Sequence, residues 1–276
     1  GMTWPEYFAL RATNWTLLKH LEASALHYKH ASEHDRPDTQ SFKVGRYVHA
    51  QVLGPETASE QYAIYEGGDR RGKEWQAFKD AHPDHVIFKP SEVVDMDGMI
   101  AAVRAHPAAR VYLDAPDALT EQTVTWTDAE TGLRCKARPD LIVPSLRVVA
   151  DLKTFRSVEI SRVGNDIARY GYHGQLAHYA NGIAAALGWT PEHHILICVE
   201  KTAPYDVGIF ELDEGPKAIA REKVASLLAK LKECIESGRW DGRHPELVTL
   251  DEGNLPDWIF GGSPAEDITD SAEEVF

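Results

Sequence analysis

The sequence predicts an α/β protein, with a β-rich centre and helices on both sides of it along the chain. Short apolar runs separated by turns crowd between residues 122 and 151, and helical periodicity precedes and follows them. At 276 residues, 43% of them hydrophobic, the chain is long enough to bury a substantial core. We expect one domain over residues 2–250, with its core at about 40–235, and an acidic tail over 251–276.

The first part of the chain is predicted to be mainly helical. Apolar residues recur at helical spacing in 3–31, 42–52, 73–82 and 91–106, and a looser alternation predicts a strand within 59–68. A polar stretch around Pro37 separates the first two helices, and Gly54-Pro55 ends the second.

The centre and the last part of the chain alternate between strands and helices. We predict strands at 122–127, 133–138, 140–143 and 147–151, which continue one sheet, and further strands at 194–200 and 206–212. The turn-forming residues 128–132 are expected to close a hairpin between the first two of these strands. Helices are predicted at 161–188, with a break near Gly171, and at 216–238.

Two acids stand at neighbouring strand ends in the β-rich centre. Asp140 begins one apolar run, and Asp151 ends the run that follows a short turn. In a hairpin the start of the first strand lies beside the end of the second, so the two carboxylates can converge. Alternation along the strand puts Asp151 and Lys153 on the same face, with Leu152 pointing away. Two carboxylates and an amine at one sheet end suit a hard divalent cation and a scissile phosphate.

The residues around these acids resemble the PD-(D/E)xK nuclease superfamily. The matching motif is Arg138-Pro139-Asp140 followed by Asp151-Leu152-Lys153-Thr154. The segment Gly45–Glu56, the acid Glu121 and the pair Gln175 and Tyr179 extend the similarity to phage-type exonucleases of the exonuclease VIII and lambda exonuclease kind. The resemblance implies a restriction-endonuclease-like core, a central mixed β-sheet flanked by helices.

Metal preference and the resemblance together suggest a role for each site residue. Asp140, Asp151 and the carbonyl of Leu152 would hold Mg²⁺, for which Mn²⁺ would substitute. The resemblance adds His49 as a ligand, with a purely structural histidine as the alternative. Lys153 would orient or deprotonate the attacking water, or stabilise the charge on the phosphate.

The resemblance extends to residues around this centre. Glu121 would assist the metal site, and a solvated strand-end acid is the alternative. Gln175 and Tyr179 lie four residues apart on one helix face and would contact the site or the DNA backbone, although a half-buried structural tyrosine is a serious alternative. Three basic residues flank the motif and would contact phosphates: Lys136, Arg138 and Arg156.

The implied function is a Mg²⁺-dependent deoxyribonuclease, an exonuclease acting on linear duplex DNA ends in phage or prophage recombination. The same resemblance implies a ring-like homo-oligomer and a single-strand annealing protein as partner. Two alternatives stay open. One is a single-strand nuclease or endonuclease of the same superfamily, and the other is a non-catalytic module that keeps the fold and binds nucleic acid or protein.

Charge and cysteine content narrow these expectations. The net charge of −14 predicts weak DNA binding that falls quickly with salt, although the acids concentrate toward the C-terminus. Three widely spaced cysteines, Cys135, Cys198 and Cys234, form no disulfide framework and suit a reducing cytoplasm. They are too few for the four-cysteine iron–sulfur cluster of some superfamily members, so none is expected. No apolar stretch approaches the ~20 residues of a membrane span.

Overall fold

The computed structural model describes residues 2–34, 39–58, 61–83 and 85–260. Its α-helices are α1 (Trp4–Ala9), α2 (Trp15–Leu18), α3 (Ala25–Glu33), α4 (Gln40–Leu53), α5 (Pro55–Ala58), α6 (Gly72–Ala81), α7 (Pro90–Ala105), α8 (Pro107–Leu113), α9 (Ile160–Tyr170), α10 (Tyr172–Leu187) and α11 (Glu214–Ser237). Its strands are β1 (Tyr62–Ile64), β2 (Val86–Phe88), β3 (Leu119–Thr120), β4 (Val124–Thr127), β5 (Arg134–Ala137), β6 (Leu141–Val143), β7 (Val148–Phe155), β8 (His193–Glu200) and β9 (Val207–Glu211).

The main sheet is mixed, in the order β3-β6-β7-β8-β9. All neighbouring pairs are antiparallel except β7 and β8, which run parallel and are connected through α9 and α10. Strand β8 is buried along nearly its whole length, as expected for a strand covered on both faces. The predicted α/β fold, a mixed sheet flanked by helices, is confirmed.

The two faces of the sheet belong to different apolar clusters. On β7, Ala150 and Leu152 join the cluster that contains residues of α4 and α7, whereas Val149 and Phe155 join the cluster of α10. This alternation is the two-residue period of a strand. Helices α4 and α10 therefore cover opposite faces of the strand that carries Asp151 and Lys153.

The N-terminal region is helical but divided. Instead of one helix over 3–31, three short α-helices begin after Thr3, Asn14 and Ser24, each of which accepts a hydrogen bond from a backbone N–H of the following turn. Such side chains cap helix starts because they satisfy donors that the helix leaves free. The region has the predicted helical character, and these internal caps divide it.

The β4–β5 hairpin closes at the predicted turn, but it does not continue the main sheet. These two strands pair with each other in a separate two-stranded sheet that packs on α10. The prediction of one continuous sheet was wrong at this point. Gly182 of α10 has no side chain at the place where Val124 and Trp126 of β4 approach within 3 Å of a would-be Cβ, so the hairpin lies directly on the helix.

Other predicted elements agree with the structure within a few residues. The break between α9 and α10 falls on Gly171, whose φ of +72° favours glycine. Strand β2, which pairs in parallel with β1, and helix α8 were not predicted from the sequence. Part of the predicted strand region 59–68 and of the acidic tail 251–276 lies outside the described residues. None of the described helices is long and apolar enough to cross a membrane.

Candidate active site

Three acids form a row across adjacent strands. The β6–β7 register pairs Leu141 with Ala150, so the next pair outward from the turn is Asp140 and Asp151. The β3–β6 register pairs Thr120 with Leu141, and the N–H of Glu121 donates to the carbonyl of Asp140 at 3.0 Å. Strand pairing alone therefore brings Glu121, Asp140 and Asp151 to one end of three neighbouring strands.

The side chain of Asp140 replaces a rung of the β6–β7 ladder. Its Oδ2 accepts a hydrogen bond of 2.8 Å from the N–H of Leu152, beyond the last paired residues of β6. The N–H and C=O of one strand residue point to the same edge, so the carbonyl of Leu152 also faces Asp140. The Leu152 side chain packs in the opposite direction, among the residues of α4 and α7.

Asp151 is the most deeply buried acid of the site. Its side chain is 1% exposed, Oδ2 pairs with the ammonium of Lys153, and Oδ1 accepts no hydrogen bond. Burial raises the pKa of Asp151 to about 6, although the charge of Lys153 acts in the other direction. Burial also acts to lower the pKa of Lys153, but the charges of Asp151 and Asp140 outweigh it and raise that pKa.

His49 reaches the same point from the opposite helix layer. It lies on α4, and its Nδ1 is 3.3 Å from Oδ2 of Asp140. Burial would lower the pKa of His49, but the charge and hydrogen bond of Asp140 raise it overall. Burial would conversely raise the pKa of Asp140, and His49, with help from Lys153, lowers it. Each member of the His49–Asp140 pair thus favours the charged form of the other.

Glu121 has a strained backbone and a shifted carboxyl. Its φ is +47°, the left-handed region that is costly for a residue with a Cβ. Burial raises the pKa of Glu121, and the neighbouring charge of Asp140 raises it further. The bend lets a residue at the end of β3 turn toward the acids of β6 and β7.

Gln175 and Tyr179 lie on α10, which covers the other face of the site. Gln175 Nε2 donates to the hydroxyl of Tyr179 at 2.7 Å, and Tyr179 is 8% exposed. Burial raises the pKa of Tyr179 well above its usual value, with contributions from Asp151 and Asp140. Gln175 and Tyr179 therefore lie beside the acids and are joined to each other by a hydrogen bond.

Tyr172 is a site neighbour that sequence reasoning missed. Its ring centroid is 5.2 Å from Lys153 Nζ, a cation–π distance. Burial raises the pKa of Tyr172 to about 12, so its hydroxyl stays protonated at neutral pH. The only signal in the sequence was its place three residues before Gln175 on the same helix.

The prediction of phosphate contacts is wrong for Lys136 and finds no support for Arg138. Lys136 is buried, and its ammonium donates to the backbone carbonyls of Tyr7, Phe8 and Leu10 at 2.8–3.5 Å. All three of its N–H donors are thus used to hold α1. The Arg138 guanidinium, 4.2 Å from the Trp4 ring, also bonds to N-terminal backbone, whereas Arg156 is exposed.

The donor set suits a divalent cation. Among the described residues, no group of three or more His, Cys, Asp or Glu side chains forms a complete metal centre by itself. The donors present nevertheless match an ion that uses one or two carboxylates and keeps several waters. They are the unpartnered Oδ1 of Asp151, the carboxylate of Asp140 and the carbonyl of Leu152.

Comparison with known proteins agrees with this fold. A family model described as "PDDEXK-like domain of unknown function (DUF3799)" matches residues 14–247. The crystal structure of a "Putative exonuclease" from Eubacterium rectale superposes with a TM-score of 0.61 at 14% identity, covering 91% of this chain and 96% of that one. A "phage related exonuclease" from Haemophilus somnus has a TM-score of 0.36 at 11% identity, covering 84% and 99%. No curated protein matches the sequence significantly.

Proposed function

The chain belongs to the family of PDDEXK-like domains, and on that premise we propose that it is a Mg²⁺-dependent deoxyribonuclease. The observation that carries the proposal is the row of Glu121, Asp140 and Asp151 beside the buried ammonium of Lys153. Burying several charged groups at one point is costly, so their clustering favours a site that binds a ligand.

The metal would be held by Asp140, Asp151 and the Leu152 carbonyl, with His49 and Glu121 next to them. When bound, the cation would lower the pKa of a water and clamp phosphate oxygens. Its charge would also favour the ionised form of Asp151, whose pKa is raised by burial.

We assign Lys153 to charge stabilisation. Its pKa is raised by the two aspartates, so it is an ammonium at neutral pH and not a base. A buried ammonium that is already in place needs little reorganisation to stabilise the charge that develops on a phosphate. The face of the Tyr172 ring also contacts this ammonium.

Gln175 and Tyr179 are proposed to position the DNA strand at the site. Their mutual hydrogen bond fixes both side chains on the α10 face that borders Asp151. Arg156, exposed at the end of β7, is proposed to contact a phosphate next to the one that is cleaved.

Digestion of end-labelled linear duplex DNA in Mg²⁺ tests the activity. We expect the wild type to release nucleotides and Asp151→Ala and Lys153→Met to lose cleavage by at least about 100-fold, with unchanged circular dichroism. No wild-type cleavage of linear, single-stranded or circular DNA, in Mg²⁺ or Mn²⁺, would replace this proposal by a non-catalytic binding module.

We further propose that the enzyme is an exonuclease acting on duplex ends. Covalently closed circles separate this mode from an endonuclease, because an exonuclease leaves them intact. Preference for single-stranded over duplex substrates would favour the other superfamily alternative. The ring-like oligomer and the annealing-protein partner stay predictions, which light scattering and co-purification check.

A further inference from the structure

A cluster of four basic side chains lies next to the site, and only Arg156 among them has a part in the function proposed above. Arg156, Arg162, Arg169 and Lys201 all act electrostatically on one carboxylate, Asp166. Residues 153–170 contain four cations and two acids, whereas the whole chain has a net charge of −14. The cluster is therefore a locally basic surface on an acidic protein.

A chain of ring contacts links this surface to the site. The Tyr172 ring centroid is 5.2 Å from Lys153 Nζ and 5.7 Å from the Tyr170 ring, and the Arg169 guanidinium is 5.8 Å from the Tyr170 centroid. Two tyrosine rings thus separate Arg169 from Lys153 at the proposed cleavage point.

The outer face of α9 carries two of these cations, Arg162 and Arg169. Arg162 and Arg169 are seven residues apart, which places them on one helix face and about 10.5 Å apart along the axis. Between them on this face lie Asn165, which is exposed, and Asp166, which is half-buried. A spacing of about 10 Å equals roughly three nucleotide steps of 3.4 Å along the axis of a DNA duplex.

The cations are not balanced by an equal number of acids. Burial lowers the pKa of Lys201, and the nearby charge of Arg156 lowers it further. Arg162 lies 3.4 Å from Glu159, but both side chains are more than 60% exposed, and exposed pairs of this kind contribute little. Like charges held together in this way favour an anionic ligand.

We propose that the outer face of α9, together with Arg156 and Lys201, binds successive phosphates of the DNA strand that passes through the site. This proposal rests on the proposed function and adds the path that the strand takes. The chemistry is sequence-independent, because arginine contacts to phosphates do not read bases.

Binding of fluorescent duplex DNA in Ca²⁺, at a series of salt concentrations, tests the path. For the double variant Arg162→Gln/Arg169→Gln we expect weaker binding to every sequence. We also expect the slope of log affinity against log salt to become less negative by about 1.8, about 0.9 for each lost phosphate contact. The matched control is Arg110→Gln/Arg221→Gln, two arginines that are 61% and 53% exposed on α8 and α11, which should keep the wild-type slope.

The outcomes separate the two proposals. If the wild type cleaves and binds DNA but the α9 variant keeps its slope, the phosphate path is wrong and the nuclease stands. If the wild type neither cleaves nor binds DNA, the proposed function itself falls. Should the double variant fail to fold by circular dichroism, Arg162→Gln alone decides, with an expected slope change of about 0.9.

Discussion

Replacing Asp151 by asparagine should stabilise the protein while it abolishes cleavage. Burial raises the pKa of this carboxyl from 3.8 to about 6. Its contribution to stability is therefore fully present below pH 3.8 and is lost as the pH rises through 6. Two pKa units at 1.36 kcal/mol each amount to about 3 kcal/mol of destabilisation at pH 7.

Lys153 already limits this gain, because its charge lowers the pKa of Asp151 that burial raises. The neutral carboxamide that Asp151→Asn introduces cannot attract the ammonium of Lys153 as a carboxylate does, although Asp140 remains close enough to act on it. We therefore expect the free energy of unfolding to rise by up to about 3 kcal/mol at pH 7 in the absence of metal.

Urea unfolding in a chelating buffer measures this change. Wild type, Asp151→Asn and the exposed control Asp69→Asn are compared at pH 7 and pH 4, and the advantage of Asp151→Asn should shrink at the lower pH. Added Mg²⁺ should stabilise the wild type and the control but not Asp151→Asn, because only a folded protein that binds the ion gains stability from it.

Two results would refute this reasoning. A less stable Asp151→Asn at pH 7 would mean that attraction to Lys153 outweighs the burial of the charge. Full cleavage activity in the same variant would remove Asp151 from the metal site. Neither result is compatible with a carboxylate that destabilises the fold and is kept for catalysis.

Three further predictions concern stability. Burial lowers the pKa of His178 to about 4, so the neutral imidazole supports folding above pH 6.5 and this support is lost as the pH falls. Between pH 7 and pH 5, urea unfolding should show about 2 kcal/mol less loss of folding free energy for His178→Gln than for wild type. Equal losses would contradict the assignment. Lys136→Met removes the ammonium that bonds to the carbonyls of Tyr7 and Leu10, so it should cost about 1–3 kcal/mol and expose the N-terminus to limited proteolysis. A changed salt slope of DNA binding with unchanged stability would contradict its structural role. Gly174→Ala puts a Cβ 2.1 Å from the Trp15 ring and should lower the free energy of unfolding in urea by about 1–3 kcal/mol. The control is Gly164→Ala, whose Cβ meets no atom within 4 Å. Similar stabilities of the two variants would show that Trp15 moves aside.

The meeting of Asp140 and Asp151 was predictable from sequence because a hairpin is a local structure. A short turn sets the register of β6 against β7, and residues at equal distance from the turn then face each other. The two-residue period of a strand likewise put Asp151 and Lys153 on one face, away from Leu152.

The placement of Glu121 and His49 depended on elements far apart in the chain. Resemblance suggested both residues, but only the β3–β6 register and the packing of α4 on the sheet bring them to Asp140. The positive φ of Glu121 has no signature in its residue type, because glutamate does not favour that conformation.

Lys136 shows why a charged residue near a motif is a weak predictor of a binding surface. Its partners lie more than 120 positions away along the chain, on α1. The separation of β4 and β5 from the main sheet has the same origin, since it depends on how closely α10 lets β4 approach.

By itself the sequence determined the α/β class, most elements and the hairpin with its two aspartates. These follow from periodicity, turns and caps, which act between residues close in the chain. Tertiary structure alone decided which charges meet: Glu121 and His49 at Asp140, Lys136 at α1, and the arginines of α9 around Asp166. The physical reason is that burial and electrostatic neighbourhood depend on distances in space, which no local pattern encodes.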